Sequence, residues 1–300
     1  MMRYRPFGIS GKAVSAISIV LRENVALPNP AAWRGFIFEA MEWGVNAFEM
    51  VAGSEVVSRG LASALEAVER RLVFLSLRIE GDQHRPLTAD SLSLIIRTSL
   101  QRTGAAYFDV LMLDEIAFRS LDERCRVFLG DVCAAGLVLQ VGVGGDGDCI
   151  DAAIRDPIFQ VVASPFSLVS GWNVRRRVKE AADANMALMA YDVWPPALMR
   201  PAKAAPAGGG LLRRTPAPLA RAGAYAFLHA TQGWTAAEIC LAYALTEPSF
   251  ATVQIETVRP EVVVKMAAVP ERDLPTGVAA QIEMARFGGD ADAAMDSRRA

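Results

Sequence analysis

The chain of 300 residues is 52% hydrophobic with a mean hydropathy of +0.25, enough apolar material for the core of one large domain or two small ones. Its formal net charge of -2 and pI near 5.8 supply no basic field for nucleic acid. No apolar run reaches the roughly 18 to 20 residues of a membrane span, and the opening MMRYRPFG leads into no signal-like core, so the expected location is the cytoplasm. Cys125, Cys133, Cys149 and Cys240 form no C-x-x-C pair, and His84 and His229 are the only histidines, so reduced structural thiols are expected and no metal site.

Short apolar runs typical of buried strands alternate with amphipathic stretches. In chain order the pattern predicts a strand at 16–21, a helix at 31–43, a strand at 45–51, a helix at 56–70, a strand at 72–79, a helix at 89–103 and a strand at 108–113. It continues with a helix at 121–135, a strand at 137–143, a helix at 150–155, a strand at 159–163, a helix at 174–185, a strand at 187–191, a helix at 236–245 and a strand at 252–255. Closing helices are predicted at 258–268 and 276–287. Thr235-Ala-Ala-Glu238 has the spacing of a capping box, which gives the 236–245 helix a defined start. Arg175-Arg176-Arg177-Val178-Lys179 reads as a solvated helix face, with a phosphate or partner contact as the alternative.

Eight near-continuous apolar strands, each followed by a helix, fit a closed parallel (β/α)8 TIM barrel better than an open sheet. A doubly wound sheet would more often carry a glycine-rich phosphate loop after its first strand, where this chain has Arg22-Glu23-Asn24. The expectation is one barrel domain over 1–288, a long Pro/Ala/Gly-rich loop at 201–224, and a small, polar, disordered tail at 289–300.

In such a barrel the C-terminal strand ends face the site. Those positions hold Glu49 and Met50, Arg78, Asp114 and Glu115, Gly144 and Gly145, Ser164, and Tyr191 and Asp192. Glu49, Arg78 and Asp114 could be an ion-pair network closing the barrel, since one arginine can bridge two carboxylates. Acid and base catalysis by a partly buried carboxylate is a second reading. A metal held by Glu49, Asp114 and Glu115 is a third, which the nearby arginine opposes. Asp114 is expected to pair with Arg78, and Glu115 to face the cleft.

The order of motifs resembles the aldo-keto reductase superfamily over roughly 3–268. RYRPFGISGKAVSAISIVL resembles its opening hairpin and first strand, FEAMEWGVNAFEMVAGSE its "AlexGinffDTAxxYGxSE", RLVFLSLRIEG its "vfiaTKvG", SLQRTGAAYFDVLMLDE its "SLxrLgtdyiDllllHxxD", LQVGVGG its "aiGvSN" and ALMAYDVWPPALM its "viaYsPLxxGlL". The resemblance implies a barrel that reduces carbonyls with NAD(H) or NADP(H), using aspartate, tyrosine, lysine and histidine. Matched position by position, the aspartate falls on Glu49, the lysine on Arg78 and the histidine on Asp114, while the tyrosine falls in MVAG (50–53), which has no hydroxyl. A guanidinium stays protonated and clamps carboxylates where a lysine can tune a phenol, and an acid replaces the group that should orient the carbonyl. The resemblance therefore implies a degenerate tetrad.

For the nucleotide it implies Tyr191 as the ring that stacks on nicotinamide, Gly144 and Gly145 in place of the carboxamide-binding Ser-Asn, and Ser164 beside them. TVQIETVRPEVVVKM resembles "sviiGasspeqleeN", which leaves Arg259 as a phosphate contact. The chain is similar to the KidO-type oxidoreductase-like proteins of α-proteobacteria, which bind NAD(H) and control cell division through FtsZ. That similarity implies a catalytically impaired, nucleotide-binding regulatory module with FtsZ or another division protein as partner. The alternative is an active NAD(P)H-dependent oxidoreductase with Glu49, Asp114 or Glu115 as proton shuttle.

Overall fold

The computed structural model describes residues 2–200 and 224–297, with side chains of the last helix as far as Arg286. A hairpin comes first, β1 (Tyr4–Phe7) pairing antiparallel with β2 (Lys12–Ser15). Eight strands follow: β3 (Ile17–Leu21), β4 (Ala47–Val51), β5 (Phe74–Ile79), β6 (Phe108–Leu113), β7 (Val138–Gly144), β8 (Val161–Pro165), β9 (Ala187–Tyr191) and β10 (Phe250–Glu256). All are parallel to their neighbours, and β10 pairs back onto β3 to close the barrel. The expected TIM barrel is the observed fold.

The surrounding helices are α1 (Pro30–Glu42), α2 (Glu55–Leu65), α3 (Ala89–Thr103), α4 (Glu115–Arg119), α5 (Glu123–Ala134), α6 (Asp148–Arg155), α7 (Trp172–Asp183), α8 (Ala236–Thr246), α9 (Pro260–Ala267) and α10 (Thr276–Ser297). Several starts are written into the sequence. Asn29 accepts from Ala32 N with Pro30 at the first helical position of α1, Ser54 caps α2, and Thr235 with Glu238 forms the expected capping box of α8.

Strand periodicity divides the core in two. Ile17, Ile19 and Leu21 of β3 and Leu75, Leu77 and Ile79 of β5 pack outward in one cluster with Trp33, Phe36 and Ile37 of α1. The opposite faces fill the barrel: Ala47, Phe74, Val110, Met112, Val161, Ala163, Ala187 and Met189 form a second cluster with Phe7 and Val14 of the hairpin. The hairpin plugs the bottom, with the Phe7 and Phe74 rings tilted against each other at a centroid distance of 4.4 Å. Gly8 makes this approach possible. Its φ is +49°, and a Cβ there would lie 2.8 Å from that of Ala187.

Three expectations change. The segment after β6 is two helices, because Asp114 caps α4 and Asp122 caps α5, each accepting from a backbone N–H three residues on. The chain is helical through Ser297, past the start of the expected disordered tail; the helix runs across Gly288-Gly289 into DADAAMDS, which lacks proline. The arginine run is not a free face: Arg175 stacks on Phe166 and Tyr243, and Arg177 pairs with Asp146 and Asp151. The expected 201–224 loop lies, but for residue 224, outside the described residues. Among the described residues no helix is long and apolar enough to cross a membrane.

Candidate functional site

Polar residues take over the inward positions of the upper barrel. Ser18 of β3, Glu49 of β4, Ser76 and Arg78 of β5, and Thr252 and Gln254 of β10 alternate with outward apolar residues, so the pleat turns them into the lumen. Glu49 is fully buried, Arg78 retains 15% exposure and Gln254 4%.

Arg78 organises the group. Its Nε donates to Glu49 Oε1 at 2.5 Å and its Nη2 to Gln254 Oε1 at 3.2 Å; Ser76 Oγ donates to Glu49 Oε2 at 3.4 Å. A Cβ on Gly144 of β7 would lie 3.6 Å from Arg78 Nη1. The guanidinium thus bonds side chains from β4 and β10 and lies against Gly144 of β7. Burial works against its charge, and the Glu49 carboxylate, with smaller contributions from Tyr191 and Glu80, more than offsets this and holds the group above its ordinary value. Nη1 has no hydrogen-bond partner among the described residues. Gln254 Nε2, Ser18 Oγ and Thr252 Oγ1 are buried and also unpartnered.

Asp114 does not pair with Arg78. Its Oδ1 accepts from Ala117 N at 2.7 Å and Gly81 N at 2.9 Å, so the acid is spent on starting α4 and tying down the β5 exit loop. Glu115 lies beside Gly145, within 3.8 Å of where its Cβ would be, and pairs with Arg119 at 2.5 Å. Glu49 and Arg78 are therefore brought together, and Asp114 stands apart from them. Among the described residues no three His, Cys, Asp or Glu side chains gather to hold a metal.

Tyr191 ends β9 against the interior cluster, half-buried, and Asp192 turns the chain after it at φ 51°. Burial pushes the Tyr191 phenol above its ordinary range, Asp192 adds to this, and Arg78 opposes it. Gly144 and Gly145 lie at the end of β7, across β8 from Tyr191, with Gly145 N donating to Ala163 O at 3.1 Å. Ser164 departs from expectation. It is the outward neighbour of the inward Ala163, is buried, and its hydroxyl donates to Pro165 O at 3.4 Å. The strand alternation turns it to the helix layer. Arg259 caps no N–H, lies exposed at the start of α9 and comes 4.0 Å from Glu261.

Above Arg78, Arg22 donates bidentately to Glu80 at 2.6 and 2.9 Å and to Glu256 at 3.1 Å, joining the chain ends of β3, β5 and β10. The Arg22 hydrogen bond holds Glu80 below the usual carboxylate range despite some burial.

The profile of the Aldo/keto reductase family matches residues 46–286. The chain belongs to this family. Among solved structures it is similar to the holo form of aldo-keto reductase AKR11C1 from Bacillus halodurans, at TM-score 0.75 and 14% identity over 95% of this chain and 96% of that one. The apo form matches at TM-score 0.72 and 15% identity over the same shares. An aldo-keto reductase from Klebsiella pneumoniae in complex with NADPH matches at TM-score 0.70 and 17% identity over 95% of both chains. No curated protein matches the sequence. The structural likeness bears on the fold alone at these identities.

Gln254, Ser18 and Thr252 were missed by the sequence reading. For Thr252 and Gln254 the signal was present: T-V-Q-I-E at 252–256 alternates polar and apolar residues where a barrel strand buried on both faces should be continuous.

Proposed function

We propose that this family member binds a nicotinamide nucleotide at the barrel mouth and is impaired in carbonyl reduction. The observation that carries this reading is the state of Arg78: a permanently charged group locked between Glu49 and Gln254. It cannot exchange a proton near neutral pH. Tyr191 is the phenol at the mouth, and its upward shift makes it a poorer acid. The carboxylates weighed as shuttles are committed elsewhere, Glu49 to Arg78, Asp114 to two backbone N–H groups and Glu115 to Arg119.

The rim suits a nucleotide. The half-buried Tyr191 ring offers an aromatic face, Gly144 and Gly145 leave the end of β7, across β8 from it, without side chains, and Gln254 Nε2 is an orphaned donor below. When bound, the nucleotide would supply a hydride donor or acceptor. Tyr191 would hold the ring, the two glycines would admit it, and Arg259 at the start of α9 would meet a phosphate. NADPH in the Klebsiella pneumoniae relative supports the cofactor class.

In this reading the protein works in the cytoplasm, where its free thiols, three of them buried, stay reduced. The regulatory part, a nucleotide-dependent complex with FtsZ or another division protein, rests on the resemblance to KidO-type proteins. Capture of FtsZ by the immobilised chain, with and without NADH, tests it; equal absence of FtsZ in both eluates removes it. The core reading is tested by titrating NAD(H) and NADP(H) while following tryptophan fluorescence. Saturable quenching is expected, and none at millimolar nucleotide contradicts it.

A further inference from the structure

We infer that the mouth also holds a recognition site for a small carboxylate, built on the free edge of Arg78. This deepens the reading above and rests on it in one respect: the mouth is taken as a binding site that has lost its proton donors.

A guanidinium has five N–H donors in a rigid fork. Here one is used by Glu49 through Nε and one by Gln254 through Nη2, while Nη1 has no partner among the described residues. The two engaged acceptors come from β4 and β10 and fix the plane of the fork. A guanidinium oriented by a buried acid on one edge presents a pre-organised pair of donors on the other, the geometry that matches a carboxylate.

Gly144 keeps that edge open. A Cβ there would lie 3.6 Å from Nη1 and 3.9 Å from Nη2, ordinary contact distances, so the site tolerates a side chain sterically and the glycine leaves the donors uncovered. Gln254 extends the donor set. Its amide bonds to the guanidinium through Oε1, and Nε2 of the same amide is buried without a partner. An unpaired buried donor is costly, which favours a ligand that brings an acceptor. The Tyr191 hydroxyl also makes no hydrogen bond among the described residues, and its phenol is electrostatically coupled to Arg78.

The charges around the mouth admit an anion. Glu80 and Glu256 are engaged by Arg22, Glu115 by Arg119 and Asp146 by Arg177. Asp114 is stabilised by two N–H groups, and Asp192 is exposed to solvent, where its field is screened. Glu49 neutralises Arg78 from below, yet a fork already desolvated and held in place loses little further on pairing.

Calorimetric titration of the full chain with oxalate and acetate, against the neutral oxamide and acetamide, tests the site with and without NADH. Saturable carboxylate binding at least about tenfold tighter than amide binding is expected. The Gly144→Val variant crowds Nη1 and Nη2 of Arg78 while leaving the Nε bond to Glu49 in place, and it should lose at least about tenfold in oxalate affinity at an unchanged melting temperature. Equal binding of oxamide, no binding of oxalate, or unchanged affinity in Gly144→Val overturns the assignment. Should Gly144→Val unfold, Arg78→Lys takes its place: it keeps the charge, loses the fork, and should weaken oxalate by a similar factor. Oxalate binding without NADH binding would sink the nucleotide reading alone, and NADH binding without oxalate binding would sink the carboxylate site alone.

Discussion

The two ends of the barrel each bury an acid against an arginine, and they use it differently. At the bottom, Asp109 accepts from Lys12 Nζ at 2.6 Å, Arg70 Nη2 at 2.8 Å and Leu75 N at 2.8 Å. Lys12 comes from the hairpin plug, and both it and Arg70 also donate to Val73 O. Both carboxylate oxygens are engaged, Arg70 stacks 4.1 Å from the Tyr107 ring, Phe7 packs on Phe74 beside the cluster, and Arg70 Nε is left as a buried donor without a partner among the described residues. At the top, Glu49 has one strong donor, and the polar groups around it leave Arg78 Nη1, Gln254 Nε2, Ser18 Oγ and Thr252 Oγ1 without partners. An end whose acid is fully matched serves to hold the fold. An end with several spare polar groups around a fixed charge, against the single Arg70 Nε at the bottom among the described residues, has more left to bind.

The largest effect expected is at the bottom. Asp109→Ala strands two cations and a backbone N–H, and should lower unfolding free energy by about 3–5 kcal/mol in a urea titration. Glu49→Gln keeps an acceptor for Arg78 and should cost about 1.5–3 kcal/mol, while also changing nucleotide binding. If Asp109→Ala proved the milder of the two, the assignment of holding and binding roles would be reversed.

The glycines of β7 sharpen the same contrast along one strand. A Cβ on Gly142 would meet Met112 Sδ at 2.5 Å and Val161 Cβ at 2.8 Å, so Gly142→Ala should destabilise by about 1–3 kcal/mol. One pleat higher, Gly144→Ala should stay within about 0.5 kcal/mol of the parent. Equal thermal shifts for the two would show that the upper lumen is packed as tightly as the lower.

Asp114→Ala removes the cap of α4 and should cost about 1 kcal/mol, with Asp114→Asn sparing most of it. Nucleotide affinity should be nearly unaffected, because Asp114 makes no contact with Arg78. A large loss of affinity in both variants would return Asp114 to the site.

The smallest effect is in pH. Arg22 depresses the Glu80 pKa, so this pair's contribution to stability is present above the ordinary carboxylate range and is lost as pH falls through the lower folded value. Both side chains are more than a third exposed, so the effect is small and screened by salt. The fall in melting temperature on acidification should be slightly shallower in Glu80→Gln; superimposable curves would show that the rim pair contributes nothing.

The fold could be read from the sequence because its signal is repeated eight times. Residues 89–103, 108–113 and 187–191 are helix and strand at the expected bounds, an amphipathic stretch closed by Gly104 and two apolar runs closed by Asp114 and Asp192. The site was less readable, since it depends on which way single side chains point. Glu49 and Arg78 meet because both face inward on adjacent strands, which periodicity could show. That Asp114 caps a helix while Gln254 reaches Arg78 depends on one rotamer and on barrel closure, which sets β10 beside β3 although more than two hundred positions separate them. Ser164 was misplaced by a single step of the pleat.

The central claim is that the mouth binds nicotinamide nucleotide without using it for ordinary carbonyl reduction. The most direct test mixes NADH or NADPH with the protein and a broad panel of aldehydes and ketones, following tryptophan quenching and reduced-nicotinamide absorbance in the same cuvette. Saturable quenching with absorbance loss no faster than in protein-free controls is the predicted result. Turnover above the controls, or no quenching by either nucleotide, would contradict it.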